Sequence, residues 1–328
     1  MALPSLELTW QWNLNQAFDV EANAVLTYQK MMFAIKESLV GFASSPWTVV
    51  GSSDTSPGNF GMDNVDRWTS YDKVVYNGGS GGAWIVLKQT NLSSNFQLLL
   101  FFGSPGWGDT QASRIEMFVS PNAGFTGGSE NGRPTATDET GGTMAWFNNT
   151  QSPFQSVVHV QQSDDGTATR VFLMYSGYCV GYWNFQKVVD ATAGWTIPVI
   201  WNFTSAGNNS NIITYGNFNQ SPNLTGARFA STNTAVYLTG EGFGDGVIGE
   251  NYSVANQLDN SYPILPMGIA CTTEGFKGRH GRLQDIWWGQ ASVPPANSGT
   301  TYPADGSRQF IQFGHMVFPW NGSAPIIG

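Results

Sequence analysis

The sequence predicts a mainly β protein, built as an antiparallel sandwich or meander of sheets with one N-terminal amphipathic helix, and three observations lead there. Apolar residues recur at spacings of three and four in one window only, residues 22–40. Beyond that window, short apolar or alternating runs succeed one another, separated by clusters of Gly, Asn, Ser, Asp and Pro that mark turns. The chain is also 14% aromatic and only 11% charged, with 39 glycines, so it has large side chains to bury, unlike a disordered polypeptide. Its 328 residues suffice for one large or two moderate β domains.

Taken in order, residues 1–20 form an N-terminal arm and residues 21–290 the main β-rich body, with a candidate internal boundary in the Asn/Ser/Gly-rich stretch 204–223. Residues 291–328 read as a C-terminal extension carrying a strand pair, 308–313 and 315–318. In the helix, Val25, Tyr28, Met32, Ile35 and Leu39 make the apolar stripe, with Asp19 or Asn23 as candidate cap and Gly41 as terminator. Met31 and Phe33 widen that stripe, which predicts packing on more than one side, in a core or at an oligomer seam. Strands follow at 45–54, 83–88 and 96–102, the last apolar throughout, as a strand covered on both faces should be. Residues 113–119 alternate Ile115, Met117 and Val119 with Arg114, Glu116 and Phe118, the pattern of a half-buried strand. The stretch 121–142 offers little to bury and reads as a long surface loop or arm. Runs 154–162 and 169–175 flank Asp165-Gly166, a type I′ hairpin signal, and strands at 178–189, 195–203 and 235–239 continue the pattern, so that everything after the helix is strand or loop.

The most unusual segment is Gly275-Phe276-Lys277-Gly278-Arg279-His280-Gly281-Arg282, which concentrates positive charge among three regularly spaced glycines in a chain with 14 Lys and Arg. It reads as a turning loop that feeds a strand, Leu283-Gln284-Asp285-Ile286-Trp287-Trp288, with one Trp on each face. Two uses suit Lys277, Arg279, His280, Arg282 and Asp285. One is contact with an anion or partner; the other, the commoner use of such arginines, is an internal clamp in which Arg279 or Arg282 pairs with Asp285 or a distant acid.

A net charge of −9 and a pI near 4.7 oppose a dedicated nucleic-acid binder, whose affinity rests on neutralising phosphates. No apolar run reaches membrane-spanning length, and the N-terminus lacks a basic signal-peptide region, which predicts synthesis in a cytoplasm. Cys179 and Cys271 are too few for a disulfide framework or a Cys-built zinc site; buried free thiols are expected, with one long-range bridge as the alternative. His159, His280 and His315 lie far apart, no catalytic elbow or metalloprotease motif is present, and Asp164-Asp165 lack the further acids of a calcium loop. The acids Glu116, Asp138, Glu139, Glu241, Asp245 and Glu250 show no spacing that singles out a glycosidase pair, and read as solvated turn residues. The expectation is therefore a protein that is not an enzyme and holds no metal or cofactor. Thirteen Trp and eleven Tyr suit permanent protein contacts, or stacking on sugar rings.

Read together, Ala34-Ile35-Lys36-Glu37-Ser38-Leu39-Val40, Trp47-Thr48-Val49-Val50-Gly51-Ser52-Ser53-Asp54, Arg67-Trp68-Thr69, Ala83-Trp84-Ile85-Val86-Leu87-Lys88, residues 157–185 and Gly278 through Gly289 resemble segments of virion structural proteins of tailed bacteriophages. The similarity covers most of residues 20–290. It implies a particle component assembled in the host cytoplasm: a tail, tail-tip or baseplate subunit that contacts copies of itself in a symmetric ring and other virion proteins. The alternatives are a capsid decoration or head-fibre protein and, in a different class, a protein that binds or cleaves host-surface glycan.

Overall fold

The computed structural model describes residues 6–12, 16–20, 24–41, 44–55, 60–75, 82–92, 95–102, 113–120, 122–130, 132–147, 154–175, 178–187, 189, 199–202, 227–228, 235–240, 265–271, 278–288, 300–302, 309–313 and 316–320. In chain order the elements are β1 (Trp10–Trp12), β2 (Gln16–Val20), α1 (Ala24–Val40), β3 (Trp47–Ser52), a 3-10 turn (Tyr71–Lys73), β4 (Ala83–Gln89), β5 (Gln97–Phe102), β6 (Ser113–Ser120), β7 (Thr126–Glu130), β8 (Arg133–Thr135), β9 (Thr140–Phe147) and β10 (Phe154–Ser163). They continue as β11 (Ala168–Tyr175), β12 (Tyr178–Gln186), β13 (Val199–Asn202), β14 (Ala227–Arg228), β15 (Ala235–Gly240), β16 (Leu265–Cys271), β17 (Gly278–Trp288), β18 (Thr300–Tyr302), β19 (Gln309–Phe313) and β20 (Met316–Trp320). Among the described residues the protein is mainly β, in antiparallel sheets with one α-helix, as the sequence predicts. Among the described residues, the 3-10 turn at 71–73 is the exception to strand-or-loop after the helix.

The chain divides into two units. The first comprises Met1–Trp12, Ser163–Phe172 and Gly177–Ile326; the second comprises Asn13–Gln162, Leu173–Ser176 and Ile327–Gly328.

The second unit centres on the five-stranded meander β3-β4-β5-β6-β9. Because side chains alternate along a strand, β5 is apolar on both sides for a reason: Phe102 stacks on Tyr28 of α1 at 4.7 Å, while Leu99 and Phe101 join Trp84, Val86 and Phe125 in a separate cluster. Helix α1 buries Tyr28, Met31, Met32, Ala34, Ile35 and Leu39, and Gly41 N–H closes its end on Glu37 O at 2.8 Å. Lys36 is buried as well. Its ammonium donates to Asp66 at 2.9 Å and to Trp68 O at 2.7 Å, which ties the loop after β3 to the helix. At Gly51 a Cβ would sit 2.2 Å from Gly61 O, so only glycine admits that approach of loop to strand.

The stretch 121–142 departs from the expected surface loop. It forms the β7–β8 hairpin and enters β9, and Phe125 fills the cluster on β5. Its few apolar residues are supplemented by polar anchors. Gln97 Oε1 accepts Phe125 N–H at 2.7 Å, Asp138 accepts the N–H groups of Asn122 and Ala123, and buried Arg133 chelates Glu139 while lying 3.7 Å from the Phe118 ring. Asp138 and Glu139 therefore brace turns rather than simply meeting solvent.

The first unit holds the seven-stranded sheet β14-β15-β16-β17-β20-β19-β18, so the strand pair in residues 291–328 is continuous with strands before it. The structure departs from the sequence pattern at two further places. At 163–168 only Gly166 has a positive φ (69°) and its N–H donates to Ser163 O at 2.9 Å, whereas a type I′ turn needs positive φ at both central residues. Ser163 Oγ and Thr167 N–H donate to the Asp165 carboxylate instead, which favours the right-handed conformation there. The basic glycine segment is likewise not a loop from 278 onward: Gly278 through Arg282 belong to β17, and all but His280 pair with β16. Cys179 and Cys271 lie in β12 and β16, with their side chains outside the described residues.

Candidate functional site

The β16–β17 ladder is interrupted twice. Between the pairs Ile269↔Gly281 and Ala270↔Arg279, His280 is an extra residue, and Gly281 at φ 134° takes up the irregularity. Between Gly268↔Arg282 and Pro266↔Trp287, the single residue Met267 faces four, Leu283, Gln284, Asp285 and Ile286. Asp285 sits in this larger bulge at φ 52°, a left-handed conformation that Asp tolerates better than most residues but that still carries strain. Such outliers mark places where the surroundings over-determine the backbone, and here the surroundings are specific.

The Asp285 side chain is 1% exposed and aims at the N-terminal arm. Its Oδ1 accepts Glu7 N–H at 2.8 Å, and its Oδ2 accepts Leu8 N–H at 2.9 Å and the Trp10 indole N–H at 2.8 Å. A buried carboxylate is costly unless its lone pairs are occupied, and these three donors stand in for water. The face of the same indole is covered by Arg170, whose guanidinium lies 3.9 Å from the ring. Arg170 is fully buried; it donates to Asn184 Oδ1 at 3.2 Å and to Gln284 O at 2.6 Å, so it fixes the bulge backbone as well as the indole.

Arg282, at the start of the bulge, turns its fork on Glu7, with Nη1 on Oε1 and Nη2 on Oε2, the latter at 2.8 Å. Its own backbone is bridged to Val189 in both directions at 3.0 Å. Leu6 packs against Trp287, Phe310 and Val317, where Trp287 meets Phe310 edge to face at 5.3 Å. On the other side of the arm, Asp164 N–H donates to Thr9 O at 2.9 Å. Every residue from 6 to 10 is thus gripped.

Of the residues singled out in the sequence, Arg282, Asp285 and Trp287 meet in this site. Arg279 and His280 lie on β17 and Trp288 opposite Leu265, but their side chains are outside the described residues, as Lys277 is altogether. Arg282 takes the distant Glu7, while Asp285 takes N–H donors. Sequence reading missed Glu7, Trp10, Asp164 and Arg170. The available signal was the alternation Leu6-Glu7-Leu8-Thr9-Trp10, which marks an extended segment with one covered face but cannot name a partner 275 positions away.

Chemically the arrangement is a peptide grip: a carboxylate reading two successive backbone N–H groups, an indole slot, and a guanidinium fork reading an acid. Among the described residues no three His, Cys, Asp or Glu groups converge as a metal site, and no helix is long and apolar enough to cross a membrane. His159 on β10 is buried, and desolvation pushes its imidazole down to about 4. Compared with known proteins, the chain matches no family model, no curated protein and no solved structure.

Proposed function

We propose that this chain is a structural subunit of a tailed bacteriophage particle, placed in the tail, tail tip or baseplate, and that it works by protein–protein assembly. The resemblance of its segments to virion proteins supports the phage assignment. The observation that supports the assembly reading is that Asp285, Arg282 and Arg170 are spent on holding an extended peptide segment, here the chain's own residues 6–10, a mode of contact that also serves between subunits. A surface with few charges to desolvate suits permanent contacts with neighbouring subunits.

The test is to purify particles and label them with antibody raised against the chain. Labelling at the tail or its tip, with a stoichiometric copy number by mass spectrometry, is the expected result. Labelling of the head assigns a decoration role, and absence from purified particles removes the proposal. Saturable binding to host-surface glycan by the isolated chain would replace assembly with receptor recognition.

A further inference from the structure

We infer that the β17 bulge is a separable receptor for the segment Leu6-Glu7-Leu8-Thr9-Trp10, and that the segment it takes in an assembly is the arm of a second copy of this chain. The inference goes beyond the virion reading; the receptor does not rest on that reading, whereas the second copy as its source rests on the assembly of like subunits.

Three features carry it. The grip is built from groups that reach across to the arm rather than from the covalent path between them: the Asp285 carboxylate on Glu7 N–H and Leu8 N–H, the Arg282 fork on the Glu7 carboxylate, and Asp164 N–H on Thr9 O. None of these bonds depends on which chain supplies the arm. The backbone that presents the receiving groups is also held by contacts outside the arm. Arg170 holds the bulge through Gln284 O, the Val189–Arg282 bridge holds its start, and Trp287 is locked against Phe310. A preformed receptor loses less on binding than one that must order itself.

Recognition is side-chain specific as well. Glu7 answers a guanidinium, the indole of Trp10 answers both a carboxylate and a guanidinium face, and Leu6 answers an apolar cluster. The segment with that combination is carried by every copy of the chain, in equal amount with its receptor. In a closed assembly a neighbour's arm is held at high effective concentration, so exchange costs little once the grip opens.

The experiment reverses one charge pair in the full chain. Arg282→Glu repels the chain's own Glu7, leaving the grip available, and a fluorescent peptide of residues 5–12 carrying Glu7→Arg is titrated against it. Saturable binding at least tenfold tighter than that of the unmodified peptide is the expected result. Equal binding of both peptides, or none, by an Arg282→Glu chain with a normal circular dichroism spectrum and melt overturns the receptor.

The second copy is tested by co-expressing full chains carrying Glu7→Arg alone and Arg282→Glu alone, with different tags. Recovery of the mixed complex, with amide protection restored at residues 6–10 of the Glu7→Arg chain, supports exchange. Restoration only when both changes sit in one chain confines the arm to its own copy and overturns it. The double variant in one chain also serves if Arg282→Glu misfolds: failure to recover arm protection there shows that the pair does not govern seating, and the inference falls.

Discussion

In β5 of the second unit, Leu99 and Phe101 enter one apolar cluster while Phe102 stacks on Tyr28 of α1. In β17 of the first unit the buried side chain of Asp285 is held by three N–H donors from the arm and flanked by the Arg170–Trp10 stack. Both positions are closed to water, yet one is held by shape and apolar area and the other by donors matched to acceptors. The difference decides what a substitution does. Apolar packing fails in proportion to volume removed, whereas a polar grip fails when one partner is left buried and unanswered.

The largest effect should come from the apolar side. Leu99→Ala leaves a cavity in the cluster it shares with Trp84, Val86, Phe101 and Phe125, and should cost about 3–5 kcal/mol of unfolding free energy in a denaturant titration. A cost under about 1 kcal/mol would mean that the face of β5 toward Trp84 and Phe125 is not closely packed.

That strand was also the most legible part of the sequence. An unbroken apolar run bounded by turn residues can only be satisfied by cover on both faces, and Tyr28, Met32, Ile35 and Leu39 announce themselves by spacing. Lys36 and Ser38 on the same helix do not, since nothing local says that Lys36 will find Asp66 and Trp68 O. The stretch 121–142 misled because it is held by polar pairs, Arg133 with Glu139, Asp138 with the Asn122 and Ala123 amides, and Gln97 of β5 with the Phe125 amide, which hydrophobic patterning does not register. At the site, the basic glycine segment drew notice through its charge. Its acid, Glu7, lies at the opposite end of the chain, and the bulge that aims Asp285 is a property of register, which periodicity does not encode.

The pH response sharpens the contrast from within the second unit. The His159 imidazole is held neutral, at about 4 against an ordinary 6.5. The unfolded chain therefore takes up a proton that the folded chain refuses: the stability is fully present above pH 6.5 and is lost as pH falls from there toward 4. The shift corresponds to about 3 kcal/mol at its limit. His159→Phe should flatten that part of the stability–pH curve, read as the difference between the two proteins at pH 7 and pH 4.5. Parallel curves would show that His159 is not kept neutral by burial.

On the polar side, Asp285→Asn keeps the size and the tolerance for positive φ but points an amide group at a cluster of N–H donors, and should cost about 2 kcal/mol. Arg282→Ala removes a partly exposed pair and should cost about 1 kcal/mol or less. If Arg282→Ala proved the more damaging of the two, the ion pair rather than the carboxylate would be what seats the arm.

The most direct measurement is hydrogen exchange, resolved to single amides, on the wild-type chain and on Asp285→Ala. The Glu7 and Leu8 amides donate to Asp285. Loss of their protection in the variant, with the paired amides of β16 and β17 still protected, is the outcome expected of an arm held by this one carboxylate. Unchanged protection at both amides in a chain that lacks the carboxylate would contradict it.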